Sequence, residues 1–407
     1  MKIELAYAGG TLTLDVPRTI QVDTFSPVAV QNPLGIDDFS DGFLQAGGDL
    51  FLSGERLLVV VNDGYRNTPT ATILQWFDQL NPDVIDSARF LVATGVHAAP
   101  AEEHYPRIFG SFWERVRAHV SYHDANDHSN MTLLGTDSLG GEVWVNSAVL
   151  KSDRILIIGS VEPHYFAGFT GGRKSVFPGL TDFDTVARNH NLANSLEAAP
   201  LKLRGNPVEE HLDSLMAMLD RDKFFGIQIV ADSNRRIAGL FFGRLEVSFK
   251  KAVTMAEKIY SCQVPKKYGA ILCEVLPPLD KNLYQAQKAL ENCQPAVRDG
   301  GTIIIVSACE EGVGSNYFFE LAEKWDRGKN CAKDSRQHFG SHKLSRVISI
   351  GKRINIRLHS TLPDNVARHV FYEPLDNLQL FLYSAGKECK KCHLAVVHDA
   401  AHTVLKI

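Results

Sequence analysis

Six short apolar runs, at residues 57–61, 90–93, 155–158, 226–231, 270–273 and 302–306, recur along this chain with helical patterns between them. Uninterrupted runs of that length suit strands buried on both faces. Strands alternating with helices join through right-handed crossovers, which makes a mostly parallel sheet covered on both sides. At 407 residues the chain exceeds one ordinary core, so two such domains are expected. The opening stretch from Lys2 to Val16 alternates apolar and polar residues around Gly9 and Gly10 and reads as a hairpin. The stretch from Arg244 to Ile259 reads as a long helix, with Val247, Ala252, Met255, Ala256 and Ile259 on one face. The connector Gln263-Val264-Pro265-Lys266-Lys267 marks the expected boundary. It separates an N-terminal α/β domain over 1–264 from a C-terminal α/β domain over 265–384, with segment 385–407 packing back on the first. The expected fold class is α/β, two domains with mostly parallel sheets and the active site in the cleft between them.

Ligands of open α/β sheets bind beyond the carboxyl ends of the strands, and here those ends carry polar residues. They are Asn62 to Thr70, Thr94-Gly95-Val96-His97, Glu162-Pro163-His164, Glu274, and Ser307 to Gly314. Any one of them suits a structural cap; five together point to one crevice. The richest comes after the run at 155–158: Glu162-Pro163-His164-Tyr165-Phe166-Ala167-Gly168-Phe169-Thr170-Gly171-Gly172-Arg173-Lys174-Ser175. Glycines let backbone N–H groups approach an anion, Arg173 and Lys174 suit a phosphate or carboxylate, and His164 titrates near neutral pH. Anion cradle, base and amine in one stretch point to an enzyme.

A lone histidine is more often structural than catalytic, but His97 and His164 both come after strand patterns and sit beside turns. Two imidazoles at neighbouring strand ends suit proton removal from either of two enantiomers. Arg66 carries a fork of donors that matches a carboxylate, and Asp63 stands near enough in sequence to pair with it. Lys174 suits either an electrostatic phosphate contact or a covalent cofactor attachment, and spacing does not decide between them. His190 is a single candidate metal ligand, too few for a protein-only site, so it needs ligands from a bound cofactor. The pairs His119/His123 and His398/His402 lack the Glu of a zinc-protease helix and are expected to face solvent. Residues from Gly168 to Ser175 also resemble a phosphate-binding loop, but Arg173 stands where that loop needs its second glycine. A nucleotide-binding phosphoryl-transfer protein is therefore the lesser alternative.

The formal charge is 43 − 47 = −4 with no basic block, which argues against a nucleic-acid partner. No apolar run reaches the roughly 18 residues of a membrane span, and Glu4 interrupts what a signal peptide would keep apolar. Seven cysteines, five of them scattered singly, suit reduced thiols in a cytoplasm. Cys389 and Cys392 form the single CxxC, without the second pair of a zinc site. The polar stretch from Asp326 to His342 reads as a surface segment and not as a site.

Taken together, these residues resemble the nickel-dependent lactate racemase family. The resemblance rests on Asp63-Gly64-Tyr65-Arg66-Asn67-Thr68-Pro69, on Thr94 to His97 with Glu102-Glu103, on Glu162 to Lys174, and on Asn189-His190. It continues through Gly205-Asn206-Pro207, Tyr284-Gln285-Ala286-Gln287-Lys288 and Glu311-Gly312-Val313-Gly314. It implies a racemase or epimerase of a 2-hydroxy acid, cytoplasmic and served by cofactor-synthesis enzymes. The implied cofactor is a nickel-pincer nucleotide, pyridinium-3-thioamide-5-thiocarboxylic acid mononucleotide. By that resemblance Lys174 is the attachment point, His190 a nickel ligand, and His97 and His164 the acid/base pair. Asp63, Gly171, Gly172, Arg173 and Tyr284 line the cofactor, while Arg66, Gln285 and Lys288 hold the substrate. The family commonly has Arg after the first catalytic His and Thr a few residues on; here they are Ala98 and Ala101. That departure suits a 2-hydroxy acid other than lactate, or a larger polyhydroxy acid.

Overall fold

The structure is a computed structural model of the chain; it describes all residues except 53–55, 65, 67, 233, 327–339 and 389–391, and the side chains of residues 50, 317 and 326. Two compact units emerge. One comprises Ala29–Glu162 and Phe166–Ile259, the other Met1–Val28, Pro163–Tyr165 and Tyr260–Ile407.

In the first unit a six-stranded sheet runs in the order Ile237–Arg244, Phe224–Ala231, Arg154–Ser160, Leu57–Asn62, Arg89–Ala93, Val120–Tyr122. Only Ile237–Arg244 is antiparallel to its neighbour. Alternate side chains of a strand point to opposite faces, and the sequence uses both. Leu57, Val59 and Val61 enter one core with Phe39, Phe77 and Phe242, while Leu58 and Val60 enter another with Leu212, Leu215 and Leu245. That double burial is why these strands read as unbroken apolar runs. The helix Leu245–Tyr260 forms where expected. Its buried face, however, is Leu245, Phe249, Ala252, Ala256 and Ile259, and Val247 lies 49% exposed on the other side.

The second unit holds an all-parallel six-stranded sheet, ordered Glu373–Pro374, Asn355–His359, Val297–Val306, Tyr268–Glu274, Cys392–Val397, Ile20–Phe25. The N-terminal hairpin pairs Lys2–Tyr7 with Gly10–Asp15 and turns at Ala8 and Gly9, as its alternation predicts. Its inward residues Ile3, Leu5 and Leu14 share a core with Leu272, Ile304, Leu394 and Val396. A lone hairpin is marginal in water, and each such burial contributes roughly 1.5–3 kcal/mol, so the hairpin belongs to this unit. The partition thus differs from the expected 1–264 and 265–384: the first 28 residues and segment 385–407 both build the C-terminal unit. The connector at 263–267 lies close to the observed crossing at residues 259 and 260.

Cys262, Cys273, Cys293 and Cys309 are free thiols, the last three buried, whereas Cys392 is disulfide-bonded. Cys331 and Cys389 lie outside the described residues. No described helix is long and apolar enough to cross a membrane.

Glu274 has a structural role in place of the ligand-facing one expected of it. It is buried, accepts from the Ala6 N–H of the hairpin, and lies 2.6 Å from His398 Nδ1. The hydrogen bond to Glu274 raises the His398 pKa, outweighing partial burial. A raised folded-state pKa means that the contribution is complete below the unfolded value of about 6.5 and fades as pH climbs through the raised one. Wild-type melting temperature should therefore fall, relative to a His398→Asn variant, as pH rises from about 6 to about 8. Parallel melting curves across that range would show that the pair adds nothing.

Candidate active site

The glycine-rich turn lies against protein on several sides. Gly168 has φ +74°, and a Cβ there would meet the Lys202 carbonyl oxygen at 2.2 Å. A Cβ on Gly171 would meet Val161 Cγ2 at 2.6 Å, and one on Gly172 the Phe249 ring at 2.6 Å. The Gly172 N–H donates to Gln228 Oε1 at 2.7 Å. This N–H, expected to cradle an anion, is engaged with the sheet. The glycines let the turn settle on the strand ends. Gly172–Ser175 then forms a single 3-10 turn, and not the long helix whose N-terminus a phosphate-binding loop feeds.

That turn aims Arg173 and Lys174 at different neighbours. Arg173 Nη2 lies 2.6 Å from Glu209 Oε2 and Nη1 lies 3.5 Å from Asp213, so its charge is met by carboxylates. Burial raises the Glu209 pKa in spite of the nearby Arg173 and Lys174 charges. Lys174 Nζ sits 5.4 Å from the Phe166 ring centroid, and His190 meets the same ring edge-on at 5.0 Å. Lys174 and His190 stand 16 residues apart in the sequence; the fold brings both to one aromatic ring.

His190 rides on the helix Phe183–Asn191, capped by Asp182, whose carboxylate accepts from Thr185 N at 3.1 Å. Arg188 Nε bonds Asp137 at 2.9 Å. Asn189 Nδ2 donates to Val208 O at 3.1 Å and lies 3.2 Å from His211 Nδ1. Burial alone would raise the Asp137 pKa; the Gly141 N–H and the Arg188 guanidinium override it and hold the carboxyl below its ordinary value. The two residues before His190 are thereby fixed.

Asn62 pairs with Ala93 across adjacent parallel strands, so the residues just beyond these ends are neighbours. There His97 Nδ1 lies 2.6 Å from Asp63 Oδ2. Asp63 is buried and the His97 side chain 41% exposed, so a fixed carboxylate holds an accessible imidazole. This differs from the expected pairing of Asp63 with Arg66, whose contact is a backbone bond, Arg66 N to Asp63 O at 3.2 Å. Among the described residues no carboxylate pairs with the half-buried Arg66 guanidinium, which suits an incoming one.

The other unit holds the remaining predicted residues. His164 stacks on Tyr165 at 5.1 Å, and the Tyr165 hydroxyl lies 3.1 Å from His342 Nε2. The helix Leu283–Cys293 is capped by Asn282, which accepts from the Gln285 N–H at 3.1 Å, and carries Tyr284, Gln285 and Lys288. Burial pushes the Tyr284 hydroxyl up to about 12. Lys343 Nζ lies 3.6 Å from the Tyr284 ring centroid and 4.9 Å from that of Tyr165. His342 and Lys343 are buried, which corrects the expected surface character at the end of the 326–342 stretch; residues 327–339 lie outside the description. A single lysine after a polar stretch leaves no sequence signal, and Phe166 is visible only as part of the motif. His119 is exposed as expected, whereas His123 is buried with Nε2 2.9 Å from Thr181 O and His402 lies 2.8 Å from Asp399. The expected five strand ends divide between the units, with Ser307 donating to Asp280 O at 3.0 Å.

Fold and site define a two-unit α/β protein with a carboxylate-held histidine at its strand ends and an amine and imidazole meeting at one ring. The lactate racemase N-terminal domain matches residues 29–199 and the lactate racemase C-terminal domain residues 271–339. A lactate racemase of Lactiplantibacillus plantarum is 30% identical over 306 residues, covering 72% of this chain and 67% of that one. The lactate racemase of Thermoanaerobacterium thermosaccharolyticum is 26% identical over 363 residues, 88% of this chain and 78% of that one. The apoprotein structure of a lactate racemase from the same organism superimposes with a TM-score of 0.81 at 22% identity, covering 100% of both chains. A Thermotoga maritima protein superimposes at 0.70 and 16% identity, over 93% of this chain and 100% of that one. The chain belongs to the lactate racemase family.

Gly168→Ala tests how tightly the turn is seated. The positive φ and the carbonyl contact together should cost about 2 kcal/mol or more, read as a lower urea midpoint. A variant as stable as wild type would mean that the turn lifts freely from its bed.

Proposed function

We propose that this chain is a 2-hydroxy acid racemase or epimerase that uses a nickel-pincer nucleotide, attached at Lys174 and with His190 as the protein's nickel ligand. The observation that supports this most is the meeting of Lys174 and His190 at Phe166. A primary amine able to form a thioamide and an imidazole able to bind nickel form a donor set that fits the group. When bound, it supplies an acceptor for the hydrogen on the substrate α-carbon.

The chain's own residues do the rest. His97 and His164 exchange the hydroxyl proton, one removing it and the other returning it, with roles reversed for the opposite enantiomer. Asp63 fixes the His97 ring through Nδ1 and leaves Nε2 to handle the proton. Arg66, Gln285 and Lys288 hold the carboxylate, and the cations stabilise the oxyanion that develops as the proton leaves. Ala98 and Ala101 offer neither the cation nor the hydroxyl common in the family, which suits a 2-hydroxy acid larger than lactate. Phosphoryl transfer at residues Gly168 to Ser175 is disfavoured, because the Gly172 N–H is bonded to Gln228 and Arg173 to Glu209. The proposed setting is cytoplasmic, alongside the cofactor-synthesis enzymes.

Protein made with those enzymes should gain a nucleotide-sized mass, and Lys174→Ala should lose this covalent adduct. His190→Ala should keep the adduct but bind nickel more weakly. An active, metal-free wild-type preparation would remove the basis of the proposal. Run in deuterated water, the racemised product should carry little solvent deuterium at its α-carbon; rapid incorporation would replace hydride transfer with deprotonation.

A further inference from the structure

The proposed mechanism makes no use of Lys343, an amine 2% exposed on the helix Ser341–Gly351. Its Nζ packs over the rings of Tyr284 and Tyr165 and donates to the Tyr284 carbonyl, while its own carbonyl accepts from Gln287 Nε2 at 2.9 Å. The titratable groups facing it are Tyr165, Tyr284, Lys288 and Glu291, with His342 and Arg346 on its own helix. Glu291 is engaged twice by Arg346, at 2.8 Å each. Among the described residues no carboxylate pairs with Lys343. A methionine would fill such a place without confining an unpaired amine, so packing alone does not account for a lysine.

We propose that Lys343 is a positioning residue of the substrate site: it fixes Tyr284 at the start of the helix that carries Gln285 and Lys288, the amine proposed to meet the substrate carboxylate. The inference rests on the racemase reading above. Burial, and then the neighbouring Lys288 charge, push the Lys343 amine well below its ordinary pKa. The Lys288 charge opposes a second positive charge at Lys343, and burial disfavours it further. An anion arriving at Lys288 favours protonation of Lys343. Binding therefore takes up a proton, and an anionic substrate binds more tightly as pH falls through the lowered pKa.

The test compares cofactor-loaded wild type with Lys343→Met on lactate, malate and gluconate from about pH 6 to about pH 9, with nickel content and melting temperature measured alongside. The variant should keep its nickel and its fold. Its KM should rise about tenfold or more with kcat within about threefold, as expected for a lost charge-assisted hydrogen bond felt in binding. The wild-type fall in KM toward lower pH should be absent from it. A variant matching wild-type KM at every pH overturns the proposal. Should Lys343→Met not fold, wild type alone decides, because a KM flat across that pH range overturns it equally. A loaded wild type that interconverts none of the three acids removes the racemase reading itself, and the Lys343 proposal with it.

Discussion

Gln228 is wholly buried in the strand Phe224–Ala231, where an amide oxygen must find a donor. It finds the Gly172 N–H, and that bond holds the glycine-rich turn on the end of the sheet. A side chain at Gly171 or Gly172 would meet Val161 or Phe249 and lift the turn. With the turn seated, Arg173 reaches Glu209 and Lys174 reaches Phe166. The helix that carries His190 is fixed through Asp137, Val208 and His211, the last two on the same helix as Glu209. The two segments, both tied to the helix Pro207–Met216, thus bring an amine and an imidazole to one ring.

Polar chemistry in this protein is organised by carboxylates that fix other side chains. Asp63 holds His97, Asp137 holds Arg188, Glu291 holds Arg346 and Glu274 holds His398. In each case the carboxylate is buried to within a tenth of full and its partner is more exposed or reaches outward. A buried carboxylate cannot wander, so the group it binds is oriented at little further entropic cost. Arg66 and Lys343 have no such carboxylate among the described residues.

Much of the fold is legible in the sequence because its central strands are buried on both faces and therefore read as apolar runs. The strands at or next to a sheet edge are not. Ile20–Phe25 and Asn355–His359 mix polar with apolar residues because one or both faces are partly exposed, and their pattern resembles that of a loop. The first 28 residues depart from the expected unit for a related reason: partner choice depends on which hydrophobic face is left uncovered, a property of the assembled sheet. In the site, motif residues such as His97, Lys174 and His190 are visible, since their types and order are informative. Their partners are less so. Proximity along the chain suggests pairing Asp63 with Arg66, whereas strand register brings it to His97. Lys343 leaves no trace, because its burial arises from helices remote in sequence.

The pairing of Ile20–Phe25 with Cys392–Val397 has a consequence for how the chain is made. During synthesis the edge strand of this sheet leaves the ribosome far ahead of its neighbour, with most of the chain between them. All of the other unit comes from the intervening stretch up to Ile259 and has its strands to hand much earlier. Domains fold as their residues become available, and distant pairings are slow to form. The unit bearing the candidate lysine and histidine of the cofactor site is thus complete first, while the hairpin waits, its apolar face uncovered, for the strand Cys392–Val397 to arrive.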